Sequence, residues 1–109
     1  IVTQMFFDNE KYFSFVRQCR EEGIQVPIVP GLKVMRSLEQ LKSIPKNFHI
    51  DIPSQLSDEI MANPKSAAEI GRRWTEKQVE GLLNFNVPCV HFYVLNDSGL
   101  VVDVVRKFK

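Results

Sequence analysis

A parallel α/β fold, built as three successive βα units, is what the 109-residue sequence predicts. Three short apolar runs alternate with stretches of helical periodicity, and each strand is followed by a helix able to carry the chain back to a parallel neighbour. The first run, Ile1-Val2-Thr3-Gln4-Met5-Phe6-Phe7, is apolar at almost every position. Runs of this kind read as strands buried on both faces, and such strands belong to parallel sheets. Entered without an initiator methionine, the run reads as the interior of a longer α/β chain.

Asp8 is placed to cap the helix that follows, in which Tyr12, Phe15, Val16 and Cys19 share one face. Gly23 ends that helix, since glycine tolerates the left-handed conformation after a last turn. Gln25 to Gly31 is the second strand, with Pro27 near its start and Pro30-Gly31 as a turn at its end. Ser37 caps a short helix through Leu38, Leu41 and Ile44, which Pro45 stops. Asn47 to Pro53 reads as extended, and His49 and Asp51 within it as solvated. Ser54 to Ala62 is helical with Leu56, Ile60 and Met61 inward, and Pro64 breaks it.

A longer helix starts at Ser66, where Ser66 and Glu69 have the spacing of a capping box. Its buried stripe is Ala67, Ile70, Trp74, Val79, Leu82 and Leu83, with Arg72 and Arg73 as a charged rim, and it ends near Asn84. Pro88 to Leu95 is the third strand, and Asn96-Asp97-Ser98-Gly99 is the turn closing it. Val101, Val104, Val105 and Phe108 then share a last helical face. Three parallel strands cannot close a barrel, which takes about 250 residues as a (β/α)₈ ring. The units fit the closing arc of such a ring, with the last helix completing its outer layer. Alone they leave two open strand edges.

Composition narrows the function. With 14 Lys+Arg against 13 Asp+Glu and no long basic stripe, neither nucleic acid nor an anionic membrane is the expected partner, and a small molecule is. No segment reaches the roughly 20 apolar residues of a bilayer span. Cys19 and Cys89 have no local ligand spacing and read as reduced, buried thiols of a cytoplasmic protein. Homo-oligomerisation is left open by the sequence. There is no P-loop, G-x-G-x-x-G, G-x-S-x-G or metal-ligand cluster.

In parallel α/β folds reactive groups gather at the carboxyl ends of strands. The candidates there are Gln4, the helix after Pro30-Gly31 that carries Gln40, and the stretch from His91 through Tyr93 to Asp97. An amide offers acceptor and donors together, which suits the alternating edge of a pterin or nicotinamide ring. Gln4 equally suits a buried amide bonded to backbone, His91 a satisfied core histidine, and Tyr93 a packed ring whose hydroxyl needs a partner.

Thr3-Gln4-Met5-Phe6-Phe7-Asp8, the Tyr12 to Cys19 helix, Gly23 to Gly31, and His91-Phe92-Tyr93-Val94-Leu95-Asn96 together resemble the C-terminal part of the methylenetetrahydrofolate reductase family, in matching order and spacing across nearly the whole chain. The resemblance implies an oxidoreductase of folate and one-carbon metabolism on a (β/α)₈ TIM barrel. In the family, FAD passes a hydride from NADH or NADPH to 5,10-methylenetetrahydrofolate, giving 5-methyltetrahydrofolate for methionine synthesis. It implies that Gln4 contacts the pterin and, in the other half-reaction, the nicotinamide; that Gln40 contacts folate; and that Ile44 packs on the bound ring. Tyr93, in the matching late string, is expected to line the substrate site, and so is Asp97, which stands where better-known bacterial members carry a base that holds the folate tail. An acid there would repel the tail's carboxylates.

The resemblance also implies that the general acid and most flavin contacts belong to a part of the barrel before Ile1, so that the segment 1–109 is inactive alone with no catalytic residue of its own. The alternative expectation is a noncatalytic half-barrel binding or regulatory module. A doubly wound signalling domain is disfavoured, because no acidic cluster follows the first strand to hold Mg²⁺.

Overall fold

The computed structural model describes residues 1–48, 50–93 and 98–108. Its elements are β1 (Val2–Met5), α1 (Asn9–Glu21), β2 (Val29–Leu32), α2 (Gln40–Phe48), α3 (Ser54–Ala62), a 3₁₀ turn (Pro64–Ser66), α4 (Ala67–Asn84), β3 (His91–Phe92) and α5 (Ser98–Lys107). The sheet order is β1-β2-β3, and both pairings are parallel. The expected α/β succession of three strand-and-helix units is therefore present, as a small parallel sheet of a kind consistent with part of a barrel.

Strand alternation sorts the core into two clusters. Phe6, Leu32 and Val34 pack with Tyr12 of α1, Val79 and Leu82 of α4 and Val104 of α5. Met5, Phe7 and Met35 pack instead with Ile44 of α2, Leu56 and Ile60 of α3, and Ala67 and Ile70 of α4. Helix α4 thus belongs to both layers. Its Glu76, nearly buried, accepts Arg72 at 3.0 Å and the Lys107 ammonium at 3.5 Å, tying α5 to α4.

Helix α1 begins as its sequence dictates, with the Asp8 carboxylate accepting the Glu10 N–H at 3.0 Å, and it ends before Gly23 at φ +83°. The Arg20 guanidinium donates to the carbonyls of Ile24 and Val26, pinning the connection that leads into β2.

Several expectations are corrected. The first strand is not buried on both faces: Val2 and Gln4 are exposed, because no described element packs over them. Phe15, Met61 and Leu83 are exposed although each lies near an apolar stripe, since no described element packs on their flanks. Pro30-Gly31 is not a turn but the interior of β2, which spans only Val29–Leu32. Val29 and Gly31 direct their N–H groups to β1. The alternate residue Pro30 therefore faces the side where β3 begins pairing only opposite Gly31, so its missing N–H costs no ladder bond.

Helix α2 starts at Gln40 rather than at Ser37 and continues through Pro45, where burial of Ile44 outweighs the one bond proline cannot make. The Ser66–Glu69 box does not form. The 3₁₀ turn runs straight into α4, and the Asn63 carbonyl already takes, at 3.0 Å, the Ser66 N–H that the Glu69 carboxylate of a box would have served. His91 and Cys89 are exposed rather than buried, and the third strand is confined to His91–Phe92 among the described residues. Ser98 and Gly99 open α5 instead of a turn, while Val94 to Asp97 lie outside the described residues, as does His49.

Tyr12 joins α1 to β2 by donating its hydroxyl to the Ile28 carbonyl at 2.6 Å. Burial pushes this phenol above its ordinary 10.0, with the Arg20 charge pulling the other way. A raised pKa leaves the contribution intact below pH 10.0 and removes it as pH rises through the folded value. Tyr12→Phe is expected to cost about 1 kcal/mol at neutral pH and to lose less further stability than the parent above pH 10.0, read from urea unfolding across alkaline pH.

Candidate functional site

The carboxyl ends of β1 and β2 meet around Gly31. Thr3 sits in an irregular stretch of β1, where the register with β2 shifts between Val2 and Met5. Its Oγ1 accepts the Gly31 N–H at 3.0 Å and donates to the Gln4 carbonyl at 3.0 Å. From β3's end the Tyr93 ring crosses Gly31, and its hydroxyl donates to the Thr3 carbonyl at 2.7 Å. His91 meets that ring edge-on, 4.7 Å between centroids.

Gln4 is exposed on β1 and borders two clefts. One, of about 370 Å³, follows the strand's open edge past Phe6, Lys11, Tyr12 and Phe15. The other, of about 230 Å³, lies at the carboxyl end of the strand against Phe7, Asp8, Lys11, Ile50 and Asp51. Lys11 and Asp51 form a loose, exposed pair across it at 3.9 Å. These groups give the cleft hydrogen-bonding capacity of both polarities beside an apolar floor, which suits a polar heterocycle.

Gln40 opens α2, and its Oε1 accepts the Arg36 N–H at 2.6 Å, so its Nε2 is the part left to donate outward. Ile44 is 5% exposed, enclosed by the second cluster that also holds Met5 and the Tyr93 ring. Tyr93, Ile44 and the strand bearing Gln4 are thereby brought to one end of the sheet. Asp97 lies outside the described residues. Trp74 is core with a polar edge, donating Nε1 to the Phe7 carbonyl at 2.7 Å.

Thr3 and Gly31 are the parts of this arrangement that the sequence did not single out. Thr3 is given no role of its own within the first apolar run, and Gly31 reads as half of a turn. Among the described residues no group of three potential metal ligands occurs, and no helix is long and apolar enough to cross a membrane.

A Cβ on Gly31 would stand 2.6 Å from both the Thr3 carbonyl oxygen and the Tyr93 ring. Gly31→Ala is therefore expected to destabilise by about 2–3 kcal/mol, the upper range for forcing a methyl into filled space. Adding Tyr93→Ala should recover only part of it in urea titrations, since the backbone carbonyl remains in the way.

The profile of the methylenetetrahydrofolate reductase family matches residues 1–109. A Caenorhabditis elegans protein named probable methylenetetrahydrofolate reductase (NADPH) is 31% identical over 97% of this chain, which covers 17% of that protein. The 5,10-methylenetetrahydrofolate reductase of Escherichia coli (strain K12) is 31% identical over 91% of the chain and 34% of its own length. That of Buchnera aphidicola is 28% identical over 98% of the chain and 38% of its length. The chain thus spans well under half the length of these curated relatives. Matched along its whole length, this chain belongs to the methylenetetrahydrofolate reductase family.

Proposed function

We propose that residues 1–109 are the C-terminal three βα units of a (β/α)₈ barrel in a flavin-dependent methylenetetrahydrofolate reductase, and that they form one wall of the site shared by folate and NAD(P)H. The overall reaction is hydride transfer from NADH or NADPH through FAD to 5,10-methylenetetrahydrofolate. The observation that carries this reading is the family match over all of residues 1–109. Two features support the barrel: strands neighbour one another in chain order, and apolar side chains lie open at both sheet edges, Val2 and Phe15 beside β1 and Leu83 beyond β3.

In this reading Gln4 meets the pterin and the nicotinamide in turn, Gln40 donates Nε2 to a folate acceptor, and Ile44 backs the ring. The Tyr93 hydroxyl proton is already given to Thr3. Asp97 enters on sequence alone. The helix starts after β1 and at α4 are not offered to a flavin pyrophosphate: the Asp8 carboxylate occupies that of α1 and the 3₁₀ turn that of α4. Most of the flavin's contacts are assigned, with the general acid, to the rest of the barrel, and the segment by itself is inactive.

A noncatalytic half-barrel module is the second reading, favoured by the acid Asp97 where the resemblance expects a base. Purification of the complete gene product separates the two, because a reductase is yellow and turns over methylenetetrahydrofolate with NAD(P)H, and a module is colourless. In the yellow protein, Gln4→Glu replaces the donor with a charge and should weaken folate binding by about 1–3 kcal/mol, the cost of a mismatched buried polar group. Unchanged folate affinity in a titration would remove Gln4 from the site.

A further inference from the structure

Between the pairs Val2 with Val29 and Met5 with Gly31, β1 takes three residue steps where β2 takes two. One residue is therefore bulged out of β1 at Thr3–Gln4, and a bulge re-aims the side chain it carries. A bulge also gives up ladder bonds, so the direction of that side chain is only as fixed as whatever replaces them. Here the replacement is specific. The Gly31 N–H, turned toward β1, finds the Thr3 hydroxyl instead of a strand carbonyl; the same hydroxyl donates to the Gln4 carbonyl and so fixes that peptide plane. The carbonyl of Thr3 is held in turn by the Tyr93 hydroxyl at 2.7 Å, from the far side of the sheet.

We infer that Thr3 and Tyr93 are positioning residues, a clamp spanning the three strands that sets the direction of the Gln4 amide toward its ligand. The inference rests on the reductase reading above and deepens it. Neither hydroxyl is required to touch the ligand: Thr3 Oγ1 is bonded on both sides, and the Tyr93 proton is committed. Both act through Gln4. Gly31 is the third part of the device, because a side chain there would displace the ring and the carbonyl that the ring holds.

The test is a double-mutant cycle on the complete protein, with KM and kcat measured for 5,10-methylenetetrahydrofolate. Thr3→Val, an isostere without the hydroxyl, and Tyr93→Phe should each raise the folate KM about tenfold, the worth of one hydrogen bond realised at the ligand. In a Gln4→Ala background the same substitutions should have less than about a twofold effect, as coupled residues require. Thr3→Ser, which keeps the hydroxyl, should restore the parent KM. If Thr3→Val fails to fold, the Tyr93→Phe arm carries the cycle alone. Equal losses with and without Gln4 would overturn the clamp while leaving the reductase assignment standing. Absence of folate turnover in the unsubstituted yellow or colourless protein would overturn that assignment, and the clamp's role with it.

Discussion

Because Gly31 has no side chain, the Tyr93 ring lies across the middle strand and its hydroxyl reaches the Thr3 carbonyl, so β1 and β3 are bonded to one another although neither is the other's neighbour. Parallel strands this short share few ladder bonds, and the third pairs over only two residues. A hydrogen bond that spans the sheet compensates for part of what the ladder lacks. It also explains why β2 can be four residues long and still organise both clusters: its position is fixed from either side, and alternation then sends Leu32 and Val34 toward α1 and α5 and Met35 toward α2 and α3, with α4 serving both.

The end of β1 is held by a second set of contacts. Past Met5 the strand leaves its partner, and the carbonyls of Phe6 and Phe7 need donors once they are enclosed. Helix α4 supplies both, with Gln78 Nε2 at 3.1 Å from the Phe6 oxygen and Trp74 Nε1 at 2.7 Å from the Phe7 oxygen. Asn9 at the start of α1 joins them, donating Nδ2 to the Gln78 carbonyl at 3.0 Å. Strand β1 is thus unpaired along one edge among the described residues and yet braced at its carboxyl end by α4 and across the sheet by Tyr93. That combination suits a strand that presents Gln4, since rigid backbone and an accessible side chain are both required to place an amide against a ring.

Much of the architecture was legible because local rules and tertiary packing agree. Asp8 as a cap, the span of α3, the end of α4 near Asn84 and the apolar face of α5 all depend on neighbours within a turn or two. The misses share a cause. Pro30-Gly31 and Pro45 are strong turn and stop signals locally, and in both places burial of the adjacent residue outweighed them: Leu32 is fully enclosed, and Ile44 nearly so. The box at Ser66 failed because a 3₁₀ turn had already taken the donor it would have served. At the site, Gln4, Gln40, Ile44 and Tyr93 were named by residue type and resemblance, whereas Thr3 and Gly31 owe their significance to a register shift that no linear pattern carries.

The sequence by itself determined the succession of parallel strands and helices, the absence of the familiar nucleotide and metal motifs, and the kinship of the whole chain, because each of these resides in residue order and spacing. Tertiary structure alone decided that β1 carries a bulge, that Gln40 spends its acceptor on Arg36, and that Tyr93 closes on Thr3 over a glycine. Those outcomes depend on which backbone groups remain unpaired after three separate strands are laid side by side. Residues up to ninety positions apart then satisfy one another, and that distance is what a local reading of the chain cannot cross.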